Sequence, residues 1–458
     1  MSLYFIYTKE RRVNILSTKK ILCILSIIAI LTATYIISPS YCKPSEFQEL
    51  ETVATEPVVE PTETIIETEP VIEETEPEID YSGVTLKRNF GYYGAEYPMK
   101  DITKITFTNI APEKYDESWF ANVADTDEIM GYRRGKEVFI VGNKIYTNES
   151  AKYMFAAKSI YDNNLWSSLK EIEGLEYLDT SRTKIFNEMF YGNMNIKELD
   201  LNCWDMSSAK ELELMFALCL NLETLHVDTW DVSNVTHFTA MFQGNDWSGD
   251  MKLKNIDVSK WNTESAISMG HVFYGCAQLE YVDVSNWNVE NVTTFTHMFA
   301  DCYGLKEIDI TKWKTNSVIS FDAMFNDCHS LTTIDISNLP TATCEQFSQM
   351  FEACKNLKTI IGIETLDVSN ANYYAFSEMF HACYSLESLD LSQWDTRKAD
   401  NTAAMFSGCK NLRYLNLTGW GFEKVWTVTE MFKGTKNLTI EGIDSIDFSQ
   451  FNGSETIY

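Results

Sequence analysis

The segment VDVSNWNVENVTTFTHMFADCYGL, residues 282–305, carries the pattern that decides the fold. Its Met-Phe pair recurs along the chain at successive spacings of 26, 26, 31, 26, 26, 26, 29, 26 and 26 residues, with Val-Phe replacing it once. A period of this length indicates a stack of similar units, because one small unit cannot bury its apolar face alone. The pair begins at Met189, Met215, Met241, Val272, Met298, Met324, Met350, Met379, Met405 and Met431.

Two further residue types keep the same register. A Trp stands eleven residues before the Met position, at Trp204, Trp230, Trp261, Trp287, Trp313, Trp394 and Trp420. A Cys stands four residues after it, at Cys219, Cys276, Cys302, Cys328, Cys354, Cys383 and Cys409. Zinc sites need ligand pairs a few residues apart, and one Cys per unit does not supply them. We therefore interpret the Met-Phe, Trp and Cys columns as core packing.

Each unit combines two periodicities. The segment LKEIDI, residues 305–310, ends in the alternation of a short strand. The apolar residues that follow in a unit recur at the spacings of one helix face, as at Val292, Phe295, Met298, Phe299 and Cys302. The sequence thus predicts an α/β repeat over residues 151–458: a leucine-rich-repeat solenoid with one short strand and one short helix per unit, capped at both ends. Residues 81–150 lack the period and contain ITKITF and KEVFIVG, which predicts a small strand-rich N-terminal cap.

The N-terminal region is typical of an exported protein. Within residues 1–42, five basic residues and one acid precede the apolar run 21–37, whose length suits either a signal peptide or a membrane anchor. Basic residues before such a run favour export of the chain that follows. Residues 43–80 contain thirteen acids, one lysine and five of the nine prolines, which predicts a disordered linker. We expect an extracellular or cell-surface location.

The charge and the motifs limit the function. A formal net charge of −29 repels phosphate backbones, so nucleic acid is an unsuitable partner, whereas cationic partners and divalent metal ions stay open. The sequence contains no HExxH motif, nucleophile elbow or Gly-rich phosphate loop. We therefore expect no enzymatic activity and no cofactor, and contact with a membrane only through the N-terminal segment.

Six aspartates share one strand position in different units: Asp200, Asp257, Asp283, Asp309, Asp335 and Asp390. Flanking apolar residues point inward, so alternation directs these carboxylates outward at one strand spacing from each other. Two interpretations are open. Each carboxylate caps a nearby turn amide, which we favour, or the column binds Ca²⁺ through its oxygens.

The repeat VDVSNWNVENVTTFTHMFADCYGL resembles the 26-residue LDLSxWDTSNVTxMxxMFxGCxxL unit of BspA-type leucine-rich-repeat surface proteins. The segments ITKITFTNIAPEKYDESWF, KEVFIVGNKIY and EIEGLEYLDTS are also similar to that family, so the resemblance covers roughly residues 100–450. It departs from the pattern at Leu339 and Leu366 in the Trp column and at Asn193, Asn245 and Thr435 in the Cys column. The resemblance implies an exported surface protein, and for several members an adhesin that binds host extracellular-matrix proteins.

Two functions follow for this chain. The first is a putative adhesin, a cell-surface binding protein that recognises an extracellular protein through one face of the solenoid. The alternative is a structural or cell-wall-associated spacer without a dedicated ligand. Exposed strand positions that vary between units, such as Lys306-Glu307 and Arg413-Tyr414, favour the first, because a spacer has little reason to vary them. The sequence leaves the ligand, the binding face and the oligomeric state open.

Overall fold

A computed structural model describes residues 83–87, 90, 99–157, 166–244 and 251–442. The predicted export segment 21–37 and the linker 43–80 lie outside the described residues. No helix in the described ranges is long and apolar enough to span a membrane.

The described residues form fourteen strands and three short 3₁₀ turns. The strands are β1 (Lys104–Thr108), β2 (Glu117–Phe120), β3 (Ile129–Arg134), β4 (Glu137–Gly142), β5 (Ile145–Tyr146), β6 (Glu171–Glu173), β7 (Leu178–Asp179), β8 (Glu198–Asp200), β9 (Thr224–His226), β10 (Thr333–Asp335), β11 (Thr359–Ile361), β12 (Ser388–Asp390), β13 (Tyr414–Asn416) and β14 (Thr439–Glu441). The 3₁₀ turns are Met99–Asp101, Leu175–Tyr177 and Ile363–Thr365.

A five-stranded sheet precedes the repeats, in the order β2-β3-β4-β1-β6. Strands β2, β3 and β4 are antiparallel, whereas β1 pairs in parallel with both β4 and β6. Strand β4 alternates half-buried and buried residues, so that Val138 and Ile140 pack into the core. Gly135, at φ 58°, begins the two-residue turn between β3 and β4, a position that favours glycine. The predicted strand segments ITKITF and KEVFIVG thus form β1 and β4.

The repeats pair with each other in parallel along a first ladder of short strands. Strand β8 pairs with β9, β10 with β11 and β12 with β13, each at an offset of 26 residues, as in Glu198↔Thr224. The central residue of each strand is buried, as at Leu199 in β8. Since an offset of 26 residues is one repeat, each unit lies against the next one in the sequence.

Single bridges form a second ladder that also joins successive units. It runs through Ile185, Glu211, His237, Ser268, Thr294, Ser320 and Gln346, and it continues at Asn401 and Thr427. Most of these steps are again 26 residues long, and the step from His237 to Ser268 follows the one 31-residue unit.

The predicted helix of each unit is wrong, because the described residues contain no α-helix. The segment around the Met-Phe pair is instead a run of turns. In the unit of Met298, alternate N–H groups donate to carbonyls of the next unit at 2.9–3.0 Å, at Phe295, His297, Phe299 and Asp301. The N–H groups between them donate to the carbonyl three residues back at 3.0–3.2 Å, at Met298, Ala300 and Cys302. An α-helix would satisfy all these amides internally, so the bonds between units replace it.

Left-handed backbone makes this run of turns possible. The residue before each Met position has φ between 51° and 61°, and none of these residues is glycine. A non-glycine residue in this region costs about 1–2 kcal/mol, and the bonds to the next unit offset that cost. The residues are Glu188, Leu214, Ala240, His271, His297, Ala323, Gln349, Glu378, Ala404 and Glu430.

The columns of the repeat form the core, as the sequence predicts. The Trp, Met, Phe and Cys columns are buried in the described units. Neighbouring rings of the Phe column stack at centroid distances of 5.2–5.9 Å from Phe155 to Phe432. The indole Nε1 of six column tryptophans donates to a backbone carbonyl of the preceding unit at 2.9–3.1 Å. The indole Nε1 of Trp204, which opens the column, is buried without a partner in the described structure.

Candidate functional site

The six aspartates of the first ladder cap turns. In each, Oδ1 accepts the N–H of the residue two positions later at 2.9–3.1 Å, at Asp200, Asp257, Asp283, Asp309, Asp335 and Asp390. In four of them the same oxygen also accepts the hydroxyl of that residue at 2.6–2.7 Å. Such bonds satisfy the backbone where the chain leaves the strand. The geometry is the one that the capping interpretation requires.

The capping bonds also keep the column charged. Donation from the following Ser or Thr hydroxyl, then from its N–H, holds the pKa of Asp257, Asp309, Asp335 and Asp390 below the usual range. All six aspartates are exposed or half-buried, so the first-ladder face is acidic at neutral pH. The calcium hypothesis for this column stays a prediction.

The Cys column is chemically quiet. Each thiol donates to the carbonyl of a Phe in the preceding unit at 3.0–3.2 Å, at Cys219, Cys276, Cys302, Cys328, Cys354, Cys383 and Cys409. Burial raises the pKa of Cys219 and Cys409 to about 12, so these thiols stay protonated at neutral pH. All nine cysteines of the described ranges are free of disulfides. A protonated, buried thiol is neither a nucleophile nor a metal ligand.

Three exposed aromatic residues form a cluster that we call the aromatic patch: Tyr373, Tyr374 and Trp426. Their exposed fractions are 58%, 48% and 60%. The two tyrosine rings meet edge to face at 4.9 Å, and Tyr374 meets Trp426 edge to face at 6.4 Å. Tyrosine and tryptophan present a large apolar area together with one polar group, which suits them to contacts with another molecule.

The patch lies beside the second ladder. The N–H of Trp426 donates to the carbonyl of Asp400 at 2.9 Å, and Oδ1 of Asp400 accepts the N–H of Ala375 at 3.1 Å. Asp400 thereby joins the segment of Trp426 to the segment of the two tyrosines. Ile267 and Ile319 hold the same position before the second ladder in earlier units and are 44% and 51% exposed. The second-ladder face therefore carries exposed apolar side chains, whereas the first-ladder face carries the aspartates.

The sequence analysis did not identify the aromatic patch, although a signal was present. Tyr373 and Tyr374 belong to the 29-residue unit, which has three residues more than the usual repeat. Trp426 stands outside the Trp column, six residues after Trp420. Aromatic residues outside the columns are not needed for stacking, and that position marks them as candidates for exposure.

Some solved structures resemble this chain weakly. A leucine-rich-repeat protein from Bacteroides ovatus is 13% identical, with 71% of this chain and 89% of that chain covered and a TM-score of 0.26. A leucine-rich-repeat protein from Leptospira interrogans is 12% identical, with 64% and 76% covered and a TM-score of 0.24. An internalin from Listeria monocytogenes is 12% identical, with 62% and 84% covered and a TM-score of 0.23. Likeness at this level carries no argument about function.

Comparison at the level of sequence is more decisive. No curated protein matches the chain. A family model matches three overlapping segments, residues 149–252, 245–362 and 331–446, which together include the units described above and more than half of the chain. The chain belongs to the family described as Mycoplasma protein of unknown function, DUF285.

Proposed function

We propose that this chain is a cell-surface protein that binds a protein partner through its second-ladder face, with the aromatic patch at the centre of the contact. The observation that carries the proposal is the exposure of Tyr373, Tyr374 and Trp426 in a repeat that buries its column aromatics. Burying exposed aromatic side chains supplies much of the affinity in protein interfaces. A repeat built only for length needs no such cluster.

Charge indicates the kind of partner. The chain has 66 acidic residues against 37 Lys and Arg, and the aspartates of the first ladder are charged at neutral pH. A field of one sign speeds the approach of an oppositely charged surface and disfavours acidic partners. We therefore expect the partner to present a basic surface.

Export and adhesion are part of this proposal. The basic residues before the apolar run 21–37 support export, and the acidic linker 43–80 supports display at a distance from the membrane. The resemblance to BspA-type proteins supports an adhesin and makes a host matrix protein the first partner class to test. The alternative, a surface spacer without a ligand, differs in one respect: it requires no exposed binding residues.

Cells that express the full chain test the proposal. Their retention on immobilised collagen, laminin, fibronectin and cell-wall glycan is compared with that of cells expressing the double variant Tyr374→Asn, Trp426→Ser. Asn tolerates the φ of 50° at position 374. The matched control is Tyr281→Ser, since Tyr281 is 45% exposed and lies outside the patch.

We expect retention on at least one protein surface. The double variant should weaken it about thirtyfold, since two interface aromatics contribute about 2 kcal/mol or more, whereas Tyr281→Ser should leave it unchanged. Equal retention of the patch variant and the parent would refute the role of the patch. Absence of retention on every surface would favour the spacer. Protease treatment of intact cells should release repeat peptides, and protection of the repeats until lysis would refute surface display.

A further inference from the structure

Glu352, Glu378 and His381 bring two carboxylates and one imidazole together in adjacent Met-Phe segments. One carboxylate oxygen from each glutamate and one ring nitrogen lie within 4.8 Å of one another. Glu352 and His381 each follow the Met of their unit by two residues, and Glu378 directly precedes Met379. The cluster is therefore built from equivalent positions of neighbouring repeats.

Backbone bonds between the two units set the positions of these three residues. The N–H of Phe351 donates to the carbonyl of Met379 at 3.0 Å, and the N–H of Ala353 donates to the carbonyl of His381 at 2.6 Å. Glu378 has the left-handed backbone of its column, at φ 56°. The three side chains thus project from a turn structure that both units hold in place.

Amide side chains from neighbouring positions orient both carboxylates. Nδ2 of Asn326 donates to Oε2 of the buried Glu352 at 2.9 Å, and Nε2 of Gln349 donates to Oε2 of Glu378 at 3.0 Å. Oε1 of Glu352 lies 3.0 Å from Nδ1 of His381. Hydrogen bonds of this kind hold metal-binding carboxylates in many metal sites. Two carboxylates this close also repel each other, and a bound cation removes that repulsion.

A second observation, independent of those hydrogen bonds, concerns His297. Its Nδ1 is buried and has no hydrogen-bond partner in the described part of the chain. The carboxylate of Glu352 acts electrostatically on this imidazole, which places His297 near the same cluster. The ring of His297 stacks on His271 at 4.9 Å with an interplanar angle of 7°. An unpaired buried nitrogen is costly, so a nitrogen donor without a partner next to two carboxylates points to a missing ligand.

We propose that Glu352, Glu378 and His381 bind a divalent transition-metal ion, for which Zn²⁺ is the reference. One imidazole nitrogen and two carboxylate oxygens suit Zn²⁺, Mn²⁺ or Fe²⁺, whereas Ca²⁺ and Mg²⁺ prefer oxygen ligands throughout. The ion takes the place of the proton between Nδ1 of His381 and Oε1 of Glu352, and that proton passes to solvent.

The site has a structural consequence that does not depend on the proposed protein-binding function. Glu352 belongs to the unit of Met350, and the other two ligands belong to the 29-residue unit that ends at Met379. A metal bound by all three joins these units across the irregular spacing, near residues Tyr373 and Tyr374 of the same longer unit. Metal binding to the folded chain alone therefore stabilises it by mass action.

The test uses the full chain, purified in detergent and freed of metal with a chelator. Isothermal titration with ZnCl₂, and thermal denaturation with and without it, are measured for the parent, His381→Ala and Glu378→Gln. The matched control is His329→Ala, since His329 is another half-buried histidine in contact with a carboxylate, 2.9 Å from Asp327. Thermal denaturation without metal checks that each variant is folded.

We expect one Zn²⁺ per chain to bind with a dissociation constant in the micromolar range and to raise the melting temperature. His381→Ala and Glu378→Gln should weaken this binding at least tenfold and remove the rise in melting temperature. His329→Ala should retain both. Equal Zn²⁺ affinity in the parent and in folded His381→Ala and Glu378→Gln would overturn the proposal, as would a parent that binds no Zn²⁺.

Discussion

Replacing the buried Ala323 by glycine should have little effect on stability, whereas replacing the buried Ala300 by glycine should be clearly destabilising. Both alanines are fully buried in Met-Phe segments of neighbouring units. Ala323 has φ 51°, and Ala300 is not among the residues with positive φ. Both keep their backbone bonds, since the N–H of Ala323 donates to Ser348 at 2.8 Å and that of Ala300 to His297 at 3.1 Å. The two substitutions therefore differ mainly in backbone conformation.

The magnitude follows from three contributions. Ala→Gly at either position loses about 0.8 kcal/mol for one buried methyl group and about 0.4–1 kcal/mol through the more flexible unfolded chain. Only at position 323 does glycine also remove the cost of the left-handed backbone, about 1–2 kcal/mol. Ala323→Gly should thus change the free energy of unfolding by less than about 1 kcal/mol, and Ala300→Gly should lower it by about 1.2–1.8 kcal/mol.

Urea denaturation followed by tryptophan fluorescence measures this difference. The dependence of the free energy on urea concentration must be equal in the two variants, so that the midpoints are comparable. We expect the midpoint of Ala323→Gly to stay close to that of the parent and that of Ala300→Gly to fall. Equal losses in the two variants would refute the assignment of left-handed strain to the residue before each Met-Phe pair.

Three further predictions concern the histidines, the Trp column and the aspartates. Burial lowers the pKa of His297 to about 4, so the stability due to its neutral ring is present above pH 6.5 and lost as the pH falls towards 4; His297→Asn should reduce this acid loss, by at most about 3 kcal/mol at pH 4, in urea titrations at several pH values. A steeper acid loss in the variant would contradict the assignment. Trp313→Phe removes the indole donor and part of a buried ring, so the free energy of unfolding should fall by about 2 kcal/mol, and an unchanged urea midpoint would argue against the column bond. If the aspartate column binds Ca²⁺, the melting temperature should be higher in millimolar CaCl₂ than in NaCl of matched ionic strength, and replacing Asp283, Asp309 and Asp335 by Asn should abolish the difference. Equal melting temperatures would leave turn capping as the function of the column.

The columns of the repeat could be predicted from the sequence, because burial and stacking require the same residue type in every unit. The period identifies Trp313, Met324, Phe325 and Cys328 as core positions, and each of them is buried. The aspartates could be interpreted for a similar reason. An Asp followed two residues later by Ser or Thr needs only local backbone geometry to form its turn, as Asp309 and Thr311 do.

The aromatic patch and the proposed metal site could not be predicted in the same way. Glu352 and His381 are 29 residues apart, and Tyr374 and Trp426 are separated by almost two units. Only the stacking of the units decides which of these side chains meet. Off-column aromatics were a usable signal for the patch, whereas the acids and histidines beside the Met-Phe pairs vary from unit to unit.

What the sequence by itself determined is the period, the identity of the buried columns and the turn chemistry after each strand, because these depend on residue type and on contacts within a few residues. The conformation of the Met-Phe segment was decided by tertiary structure alone. Its apolar spacing suits a helix face and a run of turns equally well, since both place the same side chains inward. The choice depends on where the N–H groups find acceptors, and alternate N–H groups here bond to carbonyls about 25 residues along the chain. Those acceptors exist only when the next unit is in place, so a single unit considered alone is read as a helix, and the stacked units form turns.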